Sequence, residues 1–158
     1  MMVIADSSAL VALVVCQCLH LPEQLFGEVR VPEAVFAEVC VPGKPEADTL
    51  RAWLHQRVQA VSVSDYPIVK PEGLGRGELE AMALYLALSA DLLLVDDARA
   101  RKVAYLNGLE VIGSVGVLLL AKRRGLIAQL KPFLDILATS DIYLSESFIR
   151  KVLKAVGK

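Results

Sequence analysis

The stretch LLLVDDARARKVAYLNG, Leu92 to Gly108, decides the fold. Four aliphatic residues in a row, Leu92 to Val95, read as a short strand buried on both faces, because a half-exposed strand would alternate with polar residues. Asp96 and Asp97 end the run, and either can cap a helix that begins at Ala98. A buried strand that passes through a charged turn into a helix is one βα unit.

Working outward, the same unit recurs. Met2 to Ala5 is a short apolar strand closed by Asp6, with Ser7 and Ser8 as helix-start residues before an apolar helix over Ala9–Leu19. Glu28–Val31 reads as a second strand, and Pro32 suits the first turn of a helix reaching about Val41. A helix over Glu46–Gln56 and an alternating strand over Val58–Val63 follow. The segment SDYPIVKPEGLGRG is a loop rich in Pro and Gly. After Gly77, Leu79, Met82, Ala83, Leu86 and Ala90 form the apolar stripe of a helix. A strand at Val111–Ile112, a helix over Val115–Arg124, and helical segments over Leu126–Leu137 and Ser145–Val156 complete the chain. Strands alternating with helices predict an α/β fold of three layers, a central parallel sheet flanked by helices. With 158 residues, 55% of them hydrophobic, one domain over 1–158 with a basic helical C-terminal segment from about Lys122 accounts for the chain.

Composition narrows the function classes. An odd count of three scattered cysteines, Cys16, Cys18 and Cys40, suits thiols packed as small apolar groups in a reducing compartment. His20 and His55 flank no cysteine pair of zinc spacing. No Lys or Arg precedes the apolar N-terminal run and Asp6 interrupts it, which argues against an export signal or a membrane span and predicts a cytoplasmic protein. From Lys122 onward the chain holds eight basic and three acidic residues, leaving nine basic and fifteen acidic before it, so +5 faces −6. That asymmetry is compatible with an acidic site beside a surface for a polyanion. A mean hydropathy of +0.51 predicts a homodimer that covers apolar surface.

Each acid has a plain structural reading beside a functional one. Glu78, in the first turn of its helix, complements the helix dipole, and Asp96 and Asp97 serve as caps. Asp6 is harder to explain that way. A carboxylate closing a central strand enters a buried environment with no Lys or Arg near it in sequence, and an unpaired buried charge is costly. Ligands of open parallel sheets bind outside the carboxyl ends of the strands, where both Asp6 and Asp96 stand. Glu38 shares a helix face with Val35 and Val39 and points inward, whereas Glu33 points elsewhere. Carboxylates converging there would repel one another unless a hard divalent cation, magnesium or manganese, neutralised them.

In that order, Asp6, Glu38, Glu78 and Asp96 resemble the acid pattern of PIN domains, the metal-dependent ribonuclease fold that includes VapC-type toxins. The matching stretches are DSSALVAL, VPEAVFAEV, GRGELEAMALYLAL and LLLVDDARARKVA, and GLEVIGSVGVLLLAKRRGLI resembles the end of a short stand-alone PIN subgroup. The resemblance implies a magnesium- or manganese-dependent endoribonuclease whose catalytic and metal-binding residues are Asp6, Glu38, Glu78 and Asp96, with Asp97 as a further metal-side acid. It implies that Ser8 supports Asp6. Toxin members often carry Thr-x-Asp where this chain has Val95-Asp96-Asp97, so both aspartates remain candidates. RNA is the implied partner, with a small antitoxin if the chain is the toxin of a pair. Arg76, Arg99 and Arg101 are candidate nucleic-acid contacts, although Arg101 can equally pair with Asp97 at i, i+4. The alternative is a catalytically inactive PIN-like module that binds RNA or protein. A haloacid-dehalogenase-like phosphatase would need an aspartate where Ser8 stands.

Overall fold

The computed structural model describes residues 1–139 and 146–155. Five strands, β1 (Met2–Ala5), β2 (Glu28–Pro32), β3 (Val58–Gln59), β4 (Leu92–Leu94) and β5 (Val111–Ile112), form one sheet in the order β3-β2-β1-β4-β5, all pairs parallel. Among the described residues nine helices flank it: α1 (Ser7–Val15), α2 (Leu21–Phe26), α3 (Glu33–Val39), α4 (Ala47–Leu54), α5 (Arg76–Ala87), α6 (Ala98–Leu106), α7 (Ser114–Arg123), α8 (Lys131–Thr139) and α9 (Glu146–Ala155). This is the three-layer α/β fold that the sequence predicts.

Side-chain alternation along the central strands creates two cores. Val3 and Ala5 of β1 and Leu94 of β4 pack with α1, α2, α7 and α8 on one face of the sheet. Ile4 of β1, with Leu93 and its neighbour Val95, packs with α5 and α6 on the other. That is why β1 and β4 are apolar at every position. From β1 the chain moves outward to β2 and β3, then returns through α5 to β4 on the opposite side of β1. The direction of winding reverses between β1 and β4, and the crevice of an open α/β sheet lies at that point.

Several boundaries differ from the sequence expectation, each for a local reason. The first helix ends at Val15, not Leu19, because Gln17 takes a left-handed φ of 59° and Cys18 N donates to Leu13 O at 2.8 Å. An unforeseen short helix, α2, then starts at Leu21 with Pro22 in its first turn. β3 stops at Gln59, paired to Pro32, the last residue of β2, and Val63–Asp65 is a 3₁₀ turn. Pro32 closes β2 and caps α3, so it lies just outside that helix. Leu126 to Leu130 are not helical. Gly125, at φ 75°, ends α7 in a Schellman turn just before them, Leu126 N donating to Ala121 O and Gly125 N to Lys122 O.

Of the helix expected over Ser145–Val156, both end residues lie outside the described residues. Cys16, Cys18 and Cys40 are buried free thiols, and burial pushes Cys16 up to about 12 and Cys18 to about 11. Among the described residues no helix is long and apolar enough to cross a membrane.

Candidate active site

Asp6 leaves β1 with its backbone N still donating to Leu94 O at 2.8 Å, so it emerges beside the end of β4. Ser8, in the first turn of α1, ties the two strand ends together. Its Oγ accepts from Asp96 N at 3.0 Å and donates to Asp6 Oδ2 at 3.4 Å. Asp96 is held from the other side by the first residue of α7. Ser114 N donates to Asp96 Oδ1 at 2.6 Å and Ser114 Oγ to Asp96 Oδ2 at 2.7 Å. Asp97 caps α6, its Oδ2 accepting from Ala100 N at 2.9 Å.

Glu38 reaches this point because α3 lies against α5 at Gly77. A Cβ on Gly77 would stand 2.9 Å from Glu38 Oε1 and 3.4 Å from Val35 Cγ2, so any side chain there would displace the carboxylate. Asp6 Oδ1 lies 3.9 Å from the same point, which brings Glu38 and Asp6 to one spot. Glu78 sits in the first turn of α5 and accepts from Gly75 N at 2.9 Å. A pocket of about 460 Å³ is lined by all five acids, Asp6, Glu38, Glu78, Asp96 and Asp97, together with Ser7, Ser8 and Lys44. Glu33 does not border it.

Electrostatics follow from crowding and burial. Asp6 is 3% exposed. Burial foremost, then the neighbouring Glu78 and Glu38 charges, push it from an ordinary 3.8 up to about 7, against hydrogen bonds from Ser7 N and the Ser8 hydroxyl. Glu78 is raised too, first by burial and then by Asp97 and Glu38, while Gly75 N and Arg99 oppose the shift. The first turns of α1, α5, α6 and α7 all lie at this end of the sheet, and their partial positive charges offset part of the repulsion.

A family model, DUF3368, described as PIN domain, matches residues 2–158. The chain belongs to the PIN-domain family. Members of that family are generally nucleases. Neither a search of curated proteins nor a search of solved structures finds a match.

In this PIN domain the residues singled out by sequence are brought to one pole, and their side chains differ in how far they are committed. Asp96, Asp97 and Glu78 are engaged by Ser114, Ala100 and Gly75. Among the described residues no three acids already stand as a closed ligand set. The donors nevertheless fit a hard cation, being carboxylate oxygens, and the buried Ser7 Oγ at the same pocket has no hydrogen-bond partner. Arg76 pairs with Glu80, Nε to Oε2 at 3.0 Å, at the rim of the adjoining groove. Arg99 packs on Gly73 beside Glu78, and the Arg101 guanidinium shares the surface of Gly113 with Asp96 Oδ1. Arg101 meets Asp97 through the backbone, Arg101 N donating to Asp97 O at 3.0 Å, and among the described residues no ion pair joins their side chains.

Sequence reading missed Ser114, Lys44 and Glu80. Ser114 is eighteen residues from Asp96, and only the tertiary fold joins them. Glu80 carried a readable signal, its i, i+4 spacing from Arg76. It is 6% exposed, and its Oε1 accepts from Ala34 N at 3.0 Å, capping α3 from another helix. Glu80→Ala orphans that N–H, while the exposed Arg76 guanidinium turns to water, so urea unfolding should show a loss of about 1 kcal/mol, the cost of a lost helix cap. An unchanged midpoint would mean that the α3 contact carries no stability.

Proposed function

We propose that this PIN domain is a divalent-metal-dependent endoribonuclease, with Asp6, Glu38, Glu78 and Asp96 holding magnesium or manganese and Asp97 as the auxiliary acid. The observation that carries the reading is the convergence of these carboxylates on one pocket at the β1–β4 crevice, where burial and mutual repulsion raise Asp6 to about 7. A bare acid cluster of that kind destabilises itself, and a bound cation relieves it. Once bound, such an ion supplies activation of a water nucleophile and neutralises charge on the phosphate.

The chain's own groups do the positioning. Ser8 fixes the separation of Asp6 and Asp96, and Ser114 orients Asp96. Asp6, the most buried acid lining the pocket, contributes charge where water cannot screen it. Arg99 and Arg101 flank the acids as contacts for the RNA backbone, with Arg76 further out.

The second reading, a module that binds RNA or protein without cutting it, is favoured by one observation: both carboxylate oxygens of Asp96 already accept hydrogen bonds from Ser114. Cleavage of mixed RNA in magnesium, in manganese and in chelator separates the two. Metal-dependent cleavage supports the nuclease, and binding without cleavage in any condition supports the module. A small antitoxin partner and a homodimer belong to the same proposal. Light scattering tests the dimer, and monomer alone at micromolar concentration removes it.

A further inference from the structure

An acid-lined cleft repels the polyanion it is proposed to cut, so its walls need cations of their own. On the α5–α6 side, Arg99 stands beside Glu78. Arg76 pairs with Glu80 at the adjoining groove, outside the acid pocket. Among the described residues, Lys44 is the one cation that lines the acid pocket itself.

Its placement is fixed by the backbone. Lys44 N donates to Val41 O at 3.3 Å and Ala47 N to Lys44 O at 3.1 Å, so the residue is pinned between a turn after α3 and the start of α4. From there Nζ reaches back to donate to Glu38 O at 3.3 Å. That oxygen is a backbone carbonyl, and among the described residues no carboxylate pairs with the ammonium. An exposed ammonium with three donors, one of them on a carbonyl, keeps capacity for a phosphate oxygen.

We propose that Lys44 is a substrate-binding residue of this cleft, its ammonium contacting a phosphate of a single nucleic-acid strand laid across the acids. The inference rests on the nuclease reading for the meaning of the cleft, while the binding it predicts can be measured without cleavage. As a point charge on a flexible stem, Lys44 reads backbone and not base, so its contribution is the same for every sequence.

The test compares wild type with Lys44→Gln and Lys44→Arg, using a short fluorescein-labelled single-stranded RNA of mixed sequence. Anisotropy is measured in an Asp6→Asn background over a range of potassium chloride concentrations, and KM and kcat are measured in the wild-type background. Lys44→Gln should weaken RNA binding and raise KM about tenfold, the effect of roughly 1.4 kcal/mol. The slope of log Kobs against log salt should lose about 0.7, the value for one phosphate on a single strand. kcat should hold, and Lys44→Arg should restore most of the loss. Lys44 is an exposed loop residue, so thermal unfolding should not move.

An unchanged affinity and salt slope would overturn the proposal. So would a change confined to thermal stability, which would make Lys44 a counter-charge for the acids. If wild type binds RNA without cutting it and Lys44→Gln still loses the salt slope, the nuclease reading fails and the Lys44 contact stands.

Discussion

Asp6→Asn is expected to lower metal-dependent RNA cleavage by more than about a hundredfold while leaving the fold intact. Losing a group that only supports a metal ligand costs roughly 10–100-fold, and Asp6 is proposed as a ligand itself, so its loss should exceed that range. Asparagine keeps the shape and retains an acceptor for the Ser8 hydroxyl that donates to Asp6 at 3.4 Å. What it removes is the charge of the most buried acid of the pocket, at 3% exposure. Cleavage is followed in magnesium at matched protein concentrations, with circular dichroism to verify the fold. An Asn variant as active as wild type, or activity that survives chelator, would sink the metal-nuclease reading.

Much of this architecture is legible from local pattern. The apolar runs Met2–Ala5 and Leu92–Val95 declare burial on both faces, and an aspartate directly after each run places both acids at the strand ends. The close approach at Gly77 is different. Nothing in GRGELE shows that the missing Cβ makes room for Glu38, because the neighbour comes from a helix some forty residues earlier. Ser114 is equally silent in sequence, since its role depends on β5 lying beside β4. Propensity also failed at Gln17, where a helical composition runs past the point at which the chain turns back by a left-handed residue. Short-range chemistry thus announces the acids, while the groups that aim them come from tertiary contacts.

The other large effect is on stability. In chelator, the wild-type protein should lose stability between pH about 4 and about 7, and Asp6→Asn should remove much of that loss. Asp6 has an ordinary value of 3.8 and is raised to about 7 in the fold, chiefly by burial. Below the lower value the carboxyl is protonated in both folded and unfolded chains, and it contributes no pH dependence. As the pH rises through the window, the unfolded chain releases the proton while the folded chain retains it, so ionisation favours unfolding. At 1.36 kcal/mol per unit the accumulated penalty is on the order of 4 kcal/mol once the pH passes the folded value. Asparagine carries no ionisable proton there, so the variant should match wild type near pH 4 and exceed it near pH 8. The comparison reads Asp6 together with its coupling to Glu78 and Glu38, whose charges help to raise it. Glu78, raised by burial and by its acidic neighbours, should add in the same direction when replaced by glutamine. Magnesium should reverse the order above pH 7 by stabilising wild type more than the variant, and that benefit should fade toward pH 5 as protons compete for the ligands. Urea unfolding across this range, with chelator and with magnesium, provides the measurement. A difference between the two proteins that stays flat with pH would show that Asp6 is not held in a charge-disfavouring site.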